Sequence, residues 1–326
     1  MFDLVTIGDS LVDIFFVLDE HTRGCTVDKS KKKICFDYAE KMSIDQSTHA
    51  VGGNAANVAV GAKKLGLKTA VATQIGDDIN GQVVIDALQK AGVDLSLVQI
   101  EKNKETRYSV VLNYQSERTI LSYHTQRIYK LPPLPESTWI YYTSLGKHFE
   151  KVQTKLVSHL KKHPNVRLAM NPGSYQFAHG LDTIQNIIPL VDTLIVNKEE
   201  AQKLLDLPNK TAVPTLLKAL ASQGPHTIII TDSTNGSYGW QEGRIVHMMP
   251  FPIEAKARTG AGDAYTSGFL SATILGKSLD EAMRWGTANA GGVVQEFGAQ
   301  KGLCTKKNIA SILALYPDIQ PTVLKK

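Results

Sequence analysis

Cysteine is scarce in this chain of 326 residues. The three that occur, Cys25, Cys35 and Cys304, form no CxxC pair and no spaced set of zinc ligands. An odd, scattered count argues against a disulfide framework and fits a reducing compartment. No window approaches the roughly 18 unbroken apolar residues of a membrane span. The N-terminus, Met1-Phe2-Asp3-Leu4-Val5-Thr6-Ile7-Gly8, lacks a basic n-region and a long apolar h-region, so it reads as a first strand and not as a signal peptide. A cytoplasmic protein with no membrane partner is the expectation. Internal repeats, low-complexity tracts and long linkers are also missing. The one dense basic run, Lys29 to Lys33, has no interleaved aromatics. It reads as a solvated loop, and no nucleic-acid partner is expected.

What is present suits a large apolar core. Hydrophobic residues make up 43% of the chain and charged residues 21%, with a formal net charge of +5. After the first strand, Asp19 to about Lys31 reads as irregular, and Lys33 to Glu40 alternates like a half-buried strand. Arg107 to Tyr114 and Arg118 to Tyr123 alternate in the same way across a short polar turn, which predicts a hairpin. Elsewhere strand and helix alternate. Helices are expected over 53–65, 80–91, 152–162, 198–205, 213–222, 262–275, 279–295 and 307–315. Val83, Val84, Ala87 and Leu88 share one face of the second. Short runs at 68–73, 166–170, 193–196 and 227–231 are apolar on every side, as strands covered by helices on both faces must be. The predicted fold class is α/β, a doubly wound, mostly parallel sheet in one domain, with a small β-rich flap from insertions at 13–45 and 103–130.

The sharpest segment is Ala257-Arg258-Thr259-Gly260-Ala261-Gly262-Asp263-Ala264-Tyr265, followed by a helical run. Two glycines before a helix let successive N–H groups point outward, and with the helix dipole they form a site for an anion. An aspartate in the first turn complements that dipole. With a phosphoryl group on the amides, Asp263 is positioned to take the proton from an attacking hydroxyl. The same residues also read as a capped helix after a glycine turn. They are not a dinucleotide fingerprint, because Tyr265 stands where a third glycine is required, and Gly276-Lys277-Ser278 is no Walker loop, because Ser271 stands at its first glycine. A second segment, Gly52 to Ala62, opens a helix with small residues. The carboxamides of Asn54 and Asn57 suit hydroxyls, and Asn54 equally suits an N-cap.

Together, the Gly52–Ala62 helix start and Thr259-Gly260-Ala261-Gly262-Asp263-Ala264 resemble the two signatures of the PfkB/ribokinase family of carbohydrate and nucleoside kinases, in the family's order over essentially the whole chain. The resemblance implies a ribokinase-like fold using ATP and Mg²⁺, with Asp263 as base and Gly260, Ala261 and Gly262 as anion hole. It implies substrate contacts from Asp13, Gly53, Asn54 and Asn57. Asn197 and Glu200 match an Asn-x-x-Glu motif tied to Mg²⁺ and phosphate. Thr231 and Gly236 match a nucleotide loop in which Ser233 stands for the usual first glycine. Asn289 aligns with a nucleotide-contacting position, and Gly298-Ala299-Gln300 with the loop after that helix. The flap matches a lid that closes over substrate and pairs subunits in several relatives, which implies a homodimer.

One departure stands out. Ala257, flanked by Lys256 and Arg258, occupies the position of a family aspartate two residues before Thr259, so no monovalent cation requirement is expected. The predicted reaction is phosphorylation of a hydroxyl on a sugar or sugar-like molecule. A nucleoside kinase using Tyr108, Tyr114 and Tyr123 against the base is the alternative, and a silent sugar-binding protein on the same fold a further one. Arg107 reads as a surface charge, or else as a sign of an acidic substrate.

Overall fold

A computed structural model describes residues 1–18, 21–28, 30–31, 33–44, 46–114 and 117–324. Lys29 and Lys32 of the basic run, Asp19 and Glu20, and Gln115 and Ser116 of the expected turn lie outside the described residues. The strands are β1 (Phe2–Ile7), β2 (Leu11–Leu18), β3 (Cys25–Asp28), β4 (Lys33–Phe36), β5 (Gln46–Gly52), β6 (Thr69–Gly76), β7 (Val98–Glu101) and β8 (Tyr108–Tyr114). They continue as β9 (Glu117–Tyr123), β10 (Ser137–Tyr142), β11 (Arg167–Met170), β12 (Thr193–Asn197), β13 (Thr227–Thr231), β14 (Ser237–Gln241), β15 (Arg244–Met248) and β16 (Thr322–Val323). The helices are α1 (Asn54–Lys64), α2 (Ile79–Lys90), α3 (Glu150–Lys162), α4 (Ser174–His179), α5 (Leu181–Gln185), α6 (Lys198–Leu205), α7 (Val213–Ala221), α8 (Ala261–Ile274), α9 (Leu279–Val293) and α10 (Lys306–Leu315).

Ten strands form one sheet in the order β16-β15-β14-β13-β12-β11-β10-β1-β6-β7. Neighbours from β13 through β7 run parallel, and β14, β15 and β16 add an antiparallel edge. The all-apolar strands explain the layering. Ile228, Ile229 and Ile230 of β13 are all fully buried, yet they feed opposite layers because successive side chains alternate across a sheet. Ile228 and Ile230 join Leu216, Leu217 and Leu220 of α7. Ile229 joins Phe269 and Leu270 of α8 and Met283 of α9. The parallel strands therefore end together on one edge, where an open α/β sheet binds its ligands. Among the described residues no helix is long and apolar enough to cross a membrane.

A second sheet runs β5-β2-β8-β9, with β2 parallel to β8 and the other pairs antiparallel. The expected hairpin is β8–β9, with Tyr108 opposite Tyr123. Val12, Ile14 and Tyr108 lie on one face and pack with Val84 of α2. Val84 and Leu88 of that helix are buried as expected, whereas Val83 is 38% exposed. The expected strand over 33–40 is shorter and differently placed. It ends at Phe36 and pairs only with β3, inside the stretch that reads as irregular. Both strands of this ribbon are short, and Lys33, Cys35 and Phe36 of β4 are exposed while Ile34 is half-buried.

Candidate active site

The strand-end edge gathers the glycine turn, the start of α1 and the start of α6. Gly260 caps α8 with φ 81° and ψ −1°, a left-handed conformation that a Cβ would strain, and a Cβ there would also strike Ala299. Gly262 faces open space. Asp263 follows as the third helical residue, and enclosure by the surrounding protein raises its carboxyl to about 6. Asn57 Nδ2 donates to Asp263 Oδ2 at 2.8 Å, which opposes that rise. Asn57 is itself oriented: its Oδ1 accepts from Gln300 Nε2 at 3.0 Å, and Lys64 Nζ holds the Gln300 carbonyl at 3.3 Å. One chain of hydrogen bonds thus links the loop at 298–300, helix α1 and the helix α8 carboxylate.

Asp13 lies in the middle of β2. Burial raises its carboxyl to about 6, Ser109 of β8 opposes this by hydrogen bonding, and the charge of Asp263 adds to the rise. Asp13 and Asp263 therefore share one electrostatic environment although one lies on the small sheet and the other on helix α8. The cap of α1 is Gly53, with φ 94°, and a Cβ there would meet the Asp9 carbonyl. Asn54 is the first helical residue and makes no capping hydrogen bond. The alternative of an Asn54 cap is thus replaced by a glycine turn, because the chain reverses too tightly against Asp9 for any side chain.

At the other end of the edge, Asn197 and Glu200 form a capping box. Asn197 Oδ1 accepts from Glu200 N at 2.8 Å, and Glu200 Oε2 accepts from Asn197 N at 2.9 Å. Asn171 Nδ2 lies 3.4 Å from the same carboxylate. Burial raises the Glu200 pKa, and the charge of Asp263 contributes. Thr231 pairs in register with Asn197, and Lys198 bridges to Asp232 at 3.4 Å. Ser233, in place of the family glycine, still adopts φ 51°, and Gly236 closes the turn with φ 85° against the Met248 carbonyl. A left-handed serine costs about 1–2 kcal/mol, which the turn absorbs. Asn289 has its side chain fully engaged within the protein. It is fully buried, donates to Ala264 O and Ser267 Oγ, and accepts from Cys304 N, so it joins α8 to α9 behind the cleft.

The reading of Arg107 as a surface charge is overturned. Arg107 is only 6% exposed, and its guanidinium pairs with the Asp9 carboxylate. Its NH2 group lies 3.0 Å from His124 Nε2, and burial together with the Arg107 charge pushes His124 down to about 4. The imidazole is therefore neutral and accepts at Nε2. Tyr129 donates to Asp9 Oδ1 at 2.9 Å. A lone arginine before a strand looks solvated in sequence; its partner Asp9 lies far away in the chain. Asp9, Gln300 and Asn171 carry no motif of their own as single residues, although Asp9 and Asn171 both follow strand ends, which is the available signal.

Register also decides the tyrosines. Val12 pairs with Tyr108 and Asp13 with Ser109. Tyr108, Tyr114 and Tyr123 therefore share the face of Val12, opposite that of Asp13. Near Ala257, the backbone N–H groups of Lys256 and Ala257 reach Val294 O at 2.8 and 3.1 Å, and Glu296 pairs with Lys301 at 2.9 Å.

The sequence profile described as pfkB family carbohydrate kinase matches residues 3–306. Fructoselysine 6-kinase of Shigella flexneri is 27% identical over 251 residues, covering 76% of this chain and 91% of its own. The structure of Arabidopsis thaliana ribokinase complexed with ribose and ATP superposes with a TM-score of 0.77 at 21% identity, over 96% of this chain and 98% of that one. Methanocaldococcus jannaschii nucleoside kinase superposes with a TM-score of 0.77 at 20% identity, over 97% and 99%. The two structures share the ribokinase-like fold with this chain.

Proposed function

The chain belongs to the pfkB family of carbohydrate kinases and is an ATP-dependent phosphotransferase, and we propose that its acceptor is a hydroxyl of a sugar or sugar-like alcohol. One observation carries this reading: Asp263 stands at the start of α8, behind a left-handed Gly260 and an unobstructed Gly262, with its carboxylate held by Asn57. In the proposed reaction the acceptor oxygen bonds to the γ-phosphorus and the bond from phosphorus to the β–γ bridging oxygen breaks. ADP leaves, and the hydroxyl proton passes to Asp263. The amides of Gly260, Ala261 and Gly262 are the proposed donors to the developing charge, with the Ala261 N–H resting 3.4 Å from the Arg258 carbonyl.

Asp13, Gly53, Asn54 and Asn57 are the proposed substrate contacts. Asn197, Thr231 and Gly236 are proposed for the nucleotide side, with Asn289 acting there only by fixing α8 against α9. Mg²⁺ fits this donor set: it takes one or two carboxylates plus phosphate oxygens rather than a cage of side chains. Glu200 supplies a half-buried carboxylate, and no cluster of three ligating side chains occurs among the described residues. An ion bound there would neutralise phosphate charge. Ala257 offers no side-chain oxygen for a monovalent cation, and Glu296 is already engaged by Lys301, so we propose none is needed.

A sugar is favoured over a nucleoside because the face of the small sheet carrying Asp13 bears Ser109, while the three tyrosines stand on the other. We propose that this sheet, with segments 13–45 and 103–130, is the lid. Its outer strand β9 exposes Ile120 and Leu121, which suits a homodimer through that surface. The test is ADP release over ribose, fructose, 2-keto-3-deoxygluconate, adenosine, inosine and cytidine. A sugar should give the largest kcat/KM; a nucleoside ahead of every sugar overturns the choice of substrate.

A further inference from the structure

A cavity of about 530 Å³, whose lining includes neither Asp13 nor Asp263, opens among the segments that follow β7, β9 and β10. Lys104, Arg127, Lys130, Lys147 and His148 line it, and Glu101 is the one acid in the lining. Glu101 already lies 3.7 Å from Arg127 Nε. The three lysines therefore meet no second carboxylate in the wall. A concave surface lined by one sign of charge concentrates its potential and attracts the opposite ion.

Arg127 gives the cavity a fixed floor. It is 5% exposed, and its guanidinium donates to the carbonyl of Gln74 and, at 2.8 Å, to that of Glu105. These bonds lock the fork in place, and its buried Nε faces Glu101 Oε2 at 3.7 Å, beyond hydrogen-bond distance. On the far wall, His148 directly precedes the cap residue of α3, Phe149, which makes no side-chain capping bond. The positive end of that helix dipole adds to the same field. Three lysine ammoniums around this fixed guanidinium supply the charge that attracts a phosphate, with Arg127 adding to the field rather than a free N–H.

We propose that this cavity is a second binding site, for a small phosphate-bearing anion, distinct from the place of phosphoryl transfer. Its volume exceeds that of inorganic phosphate and falls within the ~300–1,000 Å³ of small-molecule pockets, so a phosphate monoester fits better than the free ion. The site communicates with the cleft. Tyr129, next to Lys130, accepts from Gly146 N at 3.0 Å and donates to Asp9, the partner of Arg107. Occupancy therefore bears on the turn that positions Gly53.

Calorimetric titration with inorganic phosphate and with a hexose monophosphate, in the presence of a non-hydrolysable ATP analogue, tests this. The K104A/K147A variant should bind about tenfold more weakly or worse, the scale for losing charge-assisted hydrogen bonds. K155A/K161A, which removes the same charge from exposed positions of α3, should bind as the parent does. Tighter binding of the hexose monophosphate than of phosphate identifies an ester as the ligand class, and equal binding identifies the free ion. Amide exchange should slow at 101–105, 126–130 and 146–150. No saturable binding, equal affinity in the two double variants, or protection confined to 259–264 would each overturn the proposal.

Discussion

Asp13 and Asp263 both titrate near 6, against an ordinary 3.8, because burial penalises their charged forms. A base must be ionised to act, so the acid limb of kcat/KM should be centred near 6 and steepen if both carboxyls are required. A rate that stays flat down to pH 4.5 would contradict this assignment. The sign for stability is opposite. Between pH 3.8 and about 6 the folded state binds more protons than the unfolded one, so each carboxyl removes stability as pH rises through that window. Asp9 and Arg107 behave differently, as a buried pair in which each offsets the other's desolvation. Arg107→Met strands Asp9 and should cost about 3–5 kcal/mol in urea unfolding, whereas the Asp9→Asn/Arg107→Met double variant should recover much of it. Equal losses in the single and double variants would show that the charges do not act as a pair.

At the scale of elements, the small sheet and the loop before α8 make separate predictions. If the sheet closes over substrate, saturating sugar should slow amide exchange in 13–45 and 103–130 while β1, β10 and β13 stay unchanged. Uniform protection along the chain would count against a lid. The loop at Lys256–Arg258 presents positive charge around an alanine, and Lys301 holds Glu296 at 2.9 Å. Replacing K⁺ by Na⁺ or a large organic cation at constant ionic strength should leave turnover nearly unchanged. Activation of about fivefold by K⁺ alone, well above a general screening effect, would show that another oxygen set holds the ion.

At the scale of the molecule, local patterns were readable wherever a layer lies against them. The β13 run of isoleucines announces a strand covered on both faces, and the helix expected over 213–222 is α7. The ribbon β3–β4 is shorter than the alternation over 33–40 suggests, and its exposed Lys33, Cys35 and Phe36 show that alternation carries weight only where a face is buried. The site was readable as two segments, Gly53–Asn57 and Gly260–Asp263, because each carries its own backbone chemistry. Its cross-links were not: Gln300 to Asn57, Asp9 to Arg107 and the facing of the tyrosines depend on registers between distant strands. The central claim joins those two segments in one reaction. Asp263→Asn tests it most directly, since the amide keeps an oxygen for Asn57 but loses the proton acceptor. The account predicts a folded variant, with a higher melting temperature at pH 7, that binds ATP and turns over the best substrate about 10²–10⁴-fold more slowly. Turnover within about threefold of the parent, too small a loss for a general base, would contradict it.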